Sequence, residues 1–187
     1  STNYGLLTGS AWCYAYLAAL KNQSLKRLAI TDYLTGAYNK KHLMELLKQE
    51  IARSQATGNH LGLIALEIDD FQQMNDIHGR GPTNQLLKNF TEELRKMTRA
   101  GDEVFREADS QFFLLLPNCS KDGAIVLKER LRRHIDQLTW DSISEITIVT
   151  GVAALEVGMD ESQLYEDAIS ALRRGQQNSL RLLAMSS

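Results

Sequence analysis

Residues 104–116 read VFREADSQFFLLL. Val104 and Phe105 suit a strand, and residues 112–116 form an unbroken apolar run of the kind a buried strand carries. Between them stand Glu107, Ala108, Asp109, Ser110 and Gln111, with no Gly, Asn or Pro to make a tight turn. Two core strands so close in sequence predict an antiparallel pair. Why a charged, turn-poor loop should join them is a question the rest of the chain has to answer.

Outward from this pair, the chain alternates between helical and strand patterns. Upstream, NKKHLMELLKQEIARSQ from Asn39 places Leu43, Leu46, Leu47 and Ile51 at helical spacing. HLGLIALEI (residues 60–68) is apolar on both faces and predicts a central strand. DDFQQMNDIHG predicts a short helix stopped by Gly79. PTNQLLKNFTEELRKMTRA predicts a long amphipathic helix over residues 82–100, with Pro82 in its first turn and Gly101 at its end. Downstream come a helix over 121–138, a strand over 144–155 and a last helix over 160–177. The order from residue 30, α-β-α-α-β-β-α-β-α, implies an α/β sandwich: a mostly antiparallel central sheet flanked by helices.

A chain of 187 residues can bury one good core. Its net charge of −2 offers no broad attraction to nucleic acid, so no nucleic-acid partner is expected. Cys13 and Cys119 form no CxxC and no cluster with histidine, which fits a reduced cytoplasmic compartment. His42, His60, His78 and His134 lack metal-ligand spacing, and no metal site is expected. Residues 1–29 stand apart. GLLTGSAWCYAYLAAL is uncharged, and Lys21, Lys26 and Arg27 come after it. Its apolar run falls short of the ~20 residues that span a bilayer. Two readings stay open: a helix packed on the domain or on a second copy, or the inner end of a membrane helix with its basic residues on the cytoplasmic side. The second would make the protein the cytoplasmic portion of an inner-membrane protein. No signal-peptide pattern is present, and a start at Ser1 fits a segment of a longer protein.

Three local sequences resemble one family in order and spacing. TDYLTGAYNKKHL (31–43) resembles the entry motif of GGDEF domains, the diguanylate cyclases. LEIDDFQQMNDIHG (66–79) resembles their metal strand and base-recognition segment, and Ala108-Asp109-Ser110-Gln111-Phe112 lies over the signature letters. The resemblance runs from about residue 30 to residue 177 and implies a palm-like cyclase fold over 30–187. It also implies what an active site would need. Two glycines let the hairpin backbone approach GTP, and an acid after them joins a central-strand aspartate in holding divalent metals on the triphosphate.

Against those needs the residues are altered. Ala108 and Asp109 replace the glycines, Ser110 replaces the metal acid, Gln111 the next acid, and Glu67 the strand aspartate. Asn75 matches the guanine-reading asparagine, but its partner acid is Asn84, which cannot accept two guanine N–H groups as a carboxylate does. In ISALRRGQQN, Arg173 takes the phosphate-binding lysine position, whereas Gln176 and Gln177 take those of a glycine and an arginine. These residues make a vestigial active site with no catalytic residue.

One family site is whole. Arg99 and Asp102 form the R-x-x-D that in the family binds the product, cyclic di-GMP. An arginine fork bonds guanine O6 and N7 together, and an aspartate accepts from guanine N–H. Arg106 resembles a further family position, and Arg130 or Arg133 is a candidate second arginine over a stacked ligand. A solvated surface ion pair is the plain alternative for Arg99 and Asp102. The resemblance therefore implies a non-catalytic signalling module that senses cyclic di-GMP, working as a homodimer with neighbouring domains and needing no cofactor. Two alternatives stand beside it. One is an active cyclase with a divergent hairpin, which would need magnesium. The other is a structural dimerisation domain.

Overall fold

The computed structural model describes residues 6–143 and 145–186. The elements run α1 (Leu6–Ile30), β1 (Tyr38–Asn39), α2 (Lys40–Thr57), β2 (Leu61–Ile68), α3 (Phe71–His78), α4 (Arg80–Met97), β3 (Glu103–Ala108), β4 (Gln111–Pro117), α5 (Lys121–Asp136), β5 (Ile148–Ala154) and α6 (Glu161–Ser186). The strands form one five-stranded sheet in the order β1-β3-β4-β2-β5. Only the β1–β3 pair is parallel; the other three pairs are antiparallel.

The period of two along β2 explains why it is apolar on both faces. Ile64, Leu66 and Ile68 join Phe112, Leu114 and Leu116 beneath α4 and α5, where Leu86, Leu87, Phe90, Leu94, Leu131 and Ile135 complete one core. Leu61, Leu63 and Ala65 point the other way, with Phe105, Phe113 and Leu115. They meet Leu43, Leu47 and Ile51 of α2 and Leu164, Ala168 and Leu172 of α6. Each fully buried leucine or phenylalanine in these layers contributes on the order of 1.5–3 kcal/mol.

Local chemistry sets the element ends. The Asn39 side chain accepts from the His42 N–H at 3.0 Å and opens α2. Ser120 accepts from the Gly123 N–H at 3.2 Å and opens α5. On β5, Gly151 lies so close to α6 that an added Cβ would overlap the Leu172 backbone nitrogen and sit 2.6 Å from the Ala168 carbonyl oxygen. The sheet and α6 touch there backbone to backbone.

Several expectations need correction. The β3–β4 connection is not a five-residue loop. Ala108 pairs with Gln111, so only Asp109 and Ser110 turn the corner. Asp109 takes the left-handed conformation (φ 43°), which aspartate tolerates better than most residues. β1 has no counterpart in the sequence pattern, because two residues carry no periodicity. α4 begins at Arg80 and ends at Met97, short of the expected 100. Gly101 serves the turn beyond it, at φ 96°. α6 runs past the expected residue 177. β5 begins at Ile148, and Ser144, where the expected strand began, lies outside the described residues.

The N-terminal segment is helical as expected, with residues 1–5 outside the described part. It does not pack on the domain: residues 11–27 are all exposed. Its joint to the body is narrow. The Asn39 amide donates to the Ala29 carbonyl at 3.0 Å, and Thr31 bridges to Tyr38. No described helix is long and apolar enough to cross a membrane.

Candidate functional site

The hairpin tip, the end of β2 and α6 enclose a cavity of about 520 Å³ lined by Glu67, Gln111, Arg173 and Gln176, with Lys40, Glu107 and Tyr165 on one side. Glu67 and Gln111 are cross-strand partners. The Gln111 amide approaches Glu67 Oε2 at 3.5 Å, and the Gln176 amide donates to the same oxygen at 3.1 Å. Ser110 is turned away from the cavity. It is buried, and its hydroxyl donates to the Ile68 carbonyl at 3.3 Å.

These donors decide whether the implied divalent metals fit. A hard cation needs a shell of oxygens. Here two amide groups present hydrogens to Glu67, and the serine that replaces the acid is spent on the β2 backbone. Among the described residues no group of three or more His, Cys, Asp or Glu is placed to hold a metal ion. The residues present do not fit magnesium.

A second feature of this cavity has no signature in the sequence. Glu107 accepts hydrogen bonds from Lys40 and from the Tyr165 hydroxyl, and Lys40 lies 4.7 Å from the centre of the Tyr165 ring. The hydrogen bond from Lys40 to Glu107 raises the lysine's pKa, which keeps it protonated. Burial first, and then the bond to Glu107, pushes the Tyr165 hydroxyl up. The cluster ties α2, the hairpin and α6 together. Its members are too far apart in sequence for any motif to join them.

The base-reading end is likewise engaged. Asn75 Oδ1 accepts from the Thr83 hydroxyl at 2.9 Å, stapling α3 to α4, while Asn84 is exposed on α4. The Asn75 backbone carbonyl accepts from the Gly79 N–H at 2.9 Å, so this asparagine also closes α3. Ala108 and Asp109 are exposed at the tip, and Arg173 is exposed at the cavity rim.

Arg99 and Asp102 lie at the opposite end of β3 from the hairpin tip, where α4 gives way to β3. The Arg99 backbone N–H donates to Asp102 Oδ2 at 3.0 Å, and its Nε donates to Oδ1 at 3.3 Å. One Nη donates to the Pro117 carbonyl at 2.7 Å. The exposures differ sharply: 59% for the Arg99 side chain against 4% for Asp102. Asp102 therefore orients the arginine, and Arg99 is the group that meets solvent.

The pair separates two cavities. The smaller, about 210 Å³, has a floor of Met97, Leu116, Cys119 and Leu127, with Arg130 across from Arg99. The larger, about 650 Å³, lies against the end of α1 and adds Arg27 and Arg95 to the rim. Arg130 thus lines the same cavity as Arg99. Arg133 lines neither cavity and donates to the Glu129 carbonyl at 3.4 Å. Arg106 does not converge on Arg99 either. It is buried and bonds both Asp32 oxygens, at 3.1 and 2.9 Å, and the Asp109 carbonyl, at 3.0 and 2.7 Å. Arg106 braces the hairpin turn against the 31–37 loop. Burial pushes the Asp32 carboxyl up, but hydrogen bonds from Thr35 and Arg106 outweigh it and hold the pKa below its ordinary value.

Comparisons with known proteins agree with this fold. The family described as "Diguanylate cyclase, GGDEF domain" matches residues 29–180. Diguanylate cyclase DgcP of Pseudomonas aeruginosa is 36% identical over 163 residues, which is 86% of this chain and 24% of that protein. The chain spans between 24% and 52% of the length of the first curated relatives it matches. Among solved structures, diguanylate cyclase SiaD of Pseudomonas aeruginosa, in complex with its activator SiaC, is 28% identical with a TM-score of 0.77. That match covers 92% of this chain and 67% of the other. The coiled coil and GGDEF domain of DgcB from Caulobacter crescentus, in complex with c-di-GMP, has a TM-score of 0.81 at 23% identity and covers 92% of this chain and 95% of its own.

Proposed function

The chain belongs to the GGDEF family of diguanylate cyclases, and from that premise we propose that it is a non-catalytic signalling domain that senses cyclic di-GMP at the Arg99–Asp102 face. One observation carries the non-catalytic half. Glu67, the remaining acid of the metal site, is met by the Gln176 amide at 3.1 Å, while the Ser110 hydroxyl serves the β2 backbone at 3.3 Å. Amide hydrogens meet Oε2, one of the two oxygens that a cation would use.

The sensing half is supported by a division of labour at the other end. The Asp102 side chain is buried and holds Arg99, whose guanidinium reaches solvent between two cavities edged by Arg27 and Arg130. A held arginine fork recognises a guanine edge at lower entropic cost than a free one. On this reading the domain works on the cytoplasmic side, paired with a second copy and with neighbouring domains of a longer protein.

Calorimetry with cyclic di-GMP and with GTP, run beside a cyclase assay, tests both halves. The expected result is saturable heat with cyclic di-GMP and no product from GTP. Enzyme-dependent product that is lost in Glu67→Ala would establish the cyclase alternative instead. No heat with either nucleotide would leave the structural dimerisation reading.

A further inference from the structure

The two cavities that flank Arg99 differ in size and in lining. A site for a whole small-molecule ligand takes about 300–1,000 Å³. The smaller cavity, at about 210 Å³, falls below that range. Its floor of Met97, Leu116, Cys119 and Leu127 offers apolar contact to the face of a planar base. The larger, at about 650 Å³, is edged by three arginines, Arg27, Arg95 and Arg99. An apolar floor on one side and guanidinium groups on the other suit the two parts of a nucleotide, its base and its sugar-phosphate.

The three arginines are not equivalent. Arg95 donates to Glu92 at 2.6 Å and to the Gly36 carbonyl at 2.9 Å. Arg99 is held by Asp102 and by the Pro117 carbonyl. Each of these two has an acid beside it, and Arg27 has none. α1 contains no Asp or Glu, and the Arg27 side chain makes no hydrogen bond or ion pair with any described residue. Glu103, the other carboxylate lining the larger cavity, has His42, Arg95 and Asp102 as its charged neighbours, and burial pushes its carboxyl up.

The backbone under this free cation is fixed. Thr31 donates its N–H at 3.1 Å and its hydroxyl at 2.7 Å to the Arg27 carbonyl, and Thr31 bridges in turn to Tyr38. Arg27 therefore stands at a set point at the foot of α1, with only its side chain unengaged. A cation so placed at the rim of a cavity pairs with an anionic group that enters it.

Resting on the reading that cyclic di-GMP binds at Arg99, we propose that its base lies in the smaller cavity and a phosphodiester in the larger one, paired with Arg27. The bound ligand then ties the last turn of α1 to the segment between α4 and β3. The narrow joint through Asn39 and Thr31 gains a further point of attachment, so occupancy of the site stiffens the foot of α1.

Calorimetry with cyclic di-GMP on the 187-residue chain at low and high salt tests this, together with amide hydrogen exchange at saturating ligand. Arg27→Ala should weaken binding roughly fivefold or more, and its affinity should fall less steeply with added salt than the parent's. Arg27→Lys keeps the charge but loses the planar fork, and should fall between the two. Lys26→Ala, exposed and on neither cavity, should bind as the parent does. Ligand should slow exchange at residues 27–31 in the parent and not in saturated Arg27→Ala. If Arg27→Ala matches the parent in affinity, salt dependence and exchange while Arg99→Ala loses binding, this proposal is overturned and sensing at Arg99 stands. If the parent gives no heat, both fall.

Discussion

Gln176 on α6 donates its side-chain amide to Glu67 on β2 at 3.1 Å, within the cavity between the hairpin tip and α6. Two residues 109 positions apart thus satisfy each other. The acid at the family's metal position has been given a neutral partner from the protein itself.

The purified domain should therefore make no cyclic di-GMP from GTP with magnesium or manganese, as read by chromatography of the reaction mixture. Rewriting Ala108, Asp109, Ser110 and Gln111 together as the family letters should not restore activity, because Gln176 still covers Glu67 and Asn84 still replaces the base-reading acid. Product formed by the rewritten hairpin alone would mean that the α6 contact is dispensable.

Arg99→Ala should weaken cyclic di-GMP binding by roughly 5- to 150-fold, the range expected for losing a bidentate arginine–guanine contact of about 1–3 kcal/mol. Ser110→Ala, at the other end of the sheet, should leave the affinity unchanged. Calorimetry on both variants reads the difference directly.

Gly151→Ala should be severely destabilising. The added Cβ would overlap the Leu172 nitrogen and meet two more backbone atoms of α6 at 2.6 and 2.7 Å, which no rotamer change relieves. The cost should reach about 3 kcal/mol or more, the upper end for overpacking. Gly58→Ala makes the comparison, since its Cβ meets open space and only the left-handed backbone (φ 72°) is strained. That variant should lose about 1–2 kcal/mol. Urea denaturation of the two variants separates steric overlap from backbone strain.

Asp32 should contribute to acid sensitivity with a definite sign. Its pKa is lowered in the folded state from an ordinary 3.8. Its stabilising contribution is therefore complete above the ordinary value and is lost as pH falls through the folded value. Asp32→Asn should be less stable than the parent at neutral pH, and the gap should narrow as the urea midpoint is tracked down to about pH 3. A gap that is constant with pH would mean that Arg106 is not stabilised by the charge on Asp32.

Family and layer order were legible without coordinates because they rest on local patterns. Alternating helices and strands, the apolar run at 112–116 and the three family-like words each lie within a few residues of one another. The same locality exposed the altered hairpin letters and the intact R-x-x-D. It failed where periodicity had too few residues to act on, as in β1, and where one turn residue bore the whole burden. Asp109 turns the hairpin without glycine, held there by Arg106 through its carbonyl oxygen at 2.7 and 3.0 Å.

Sequence alone determined which side chains this chain possesses at the positions of a nucleotide cyclase. Tertiary structure decided what those side chains do instead. Arg106, expected beside the ligand, is consumed by Asp32, 74 residues away. The Asp102 side chain is buried, so it holds Arg99 instead of facing solvent beside it. Glu67 and Gln176 meet, as do Lys40, Glu107 and Tyr165. The physical reason is one of range. Propensity and patterning act over a turn or a strand, whereas hydrogen-bond partners and desolvation depend on which distant segments the packed sheet brings within about 3 Å.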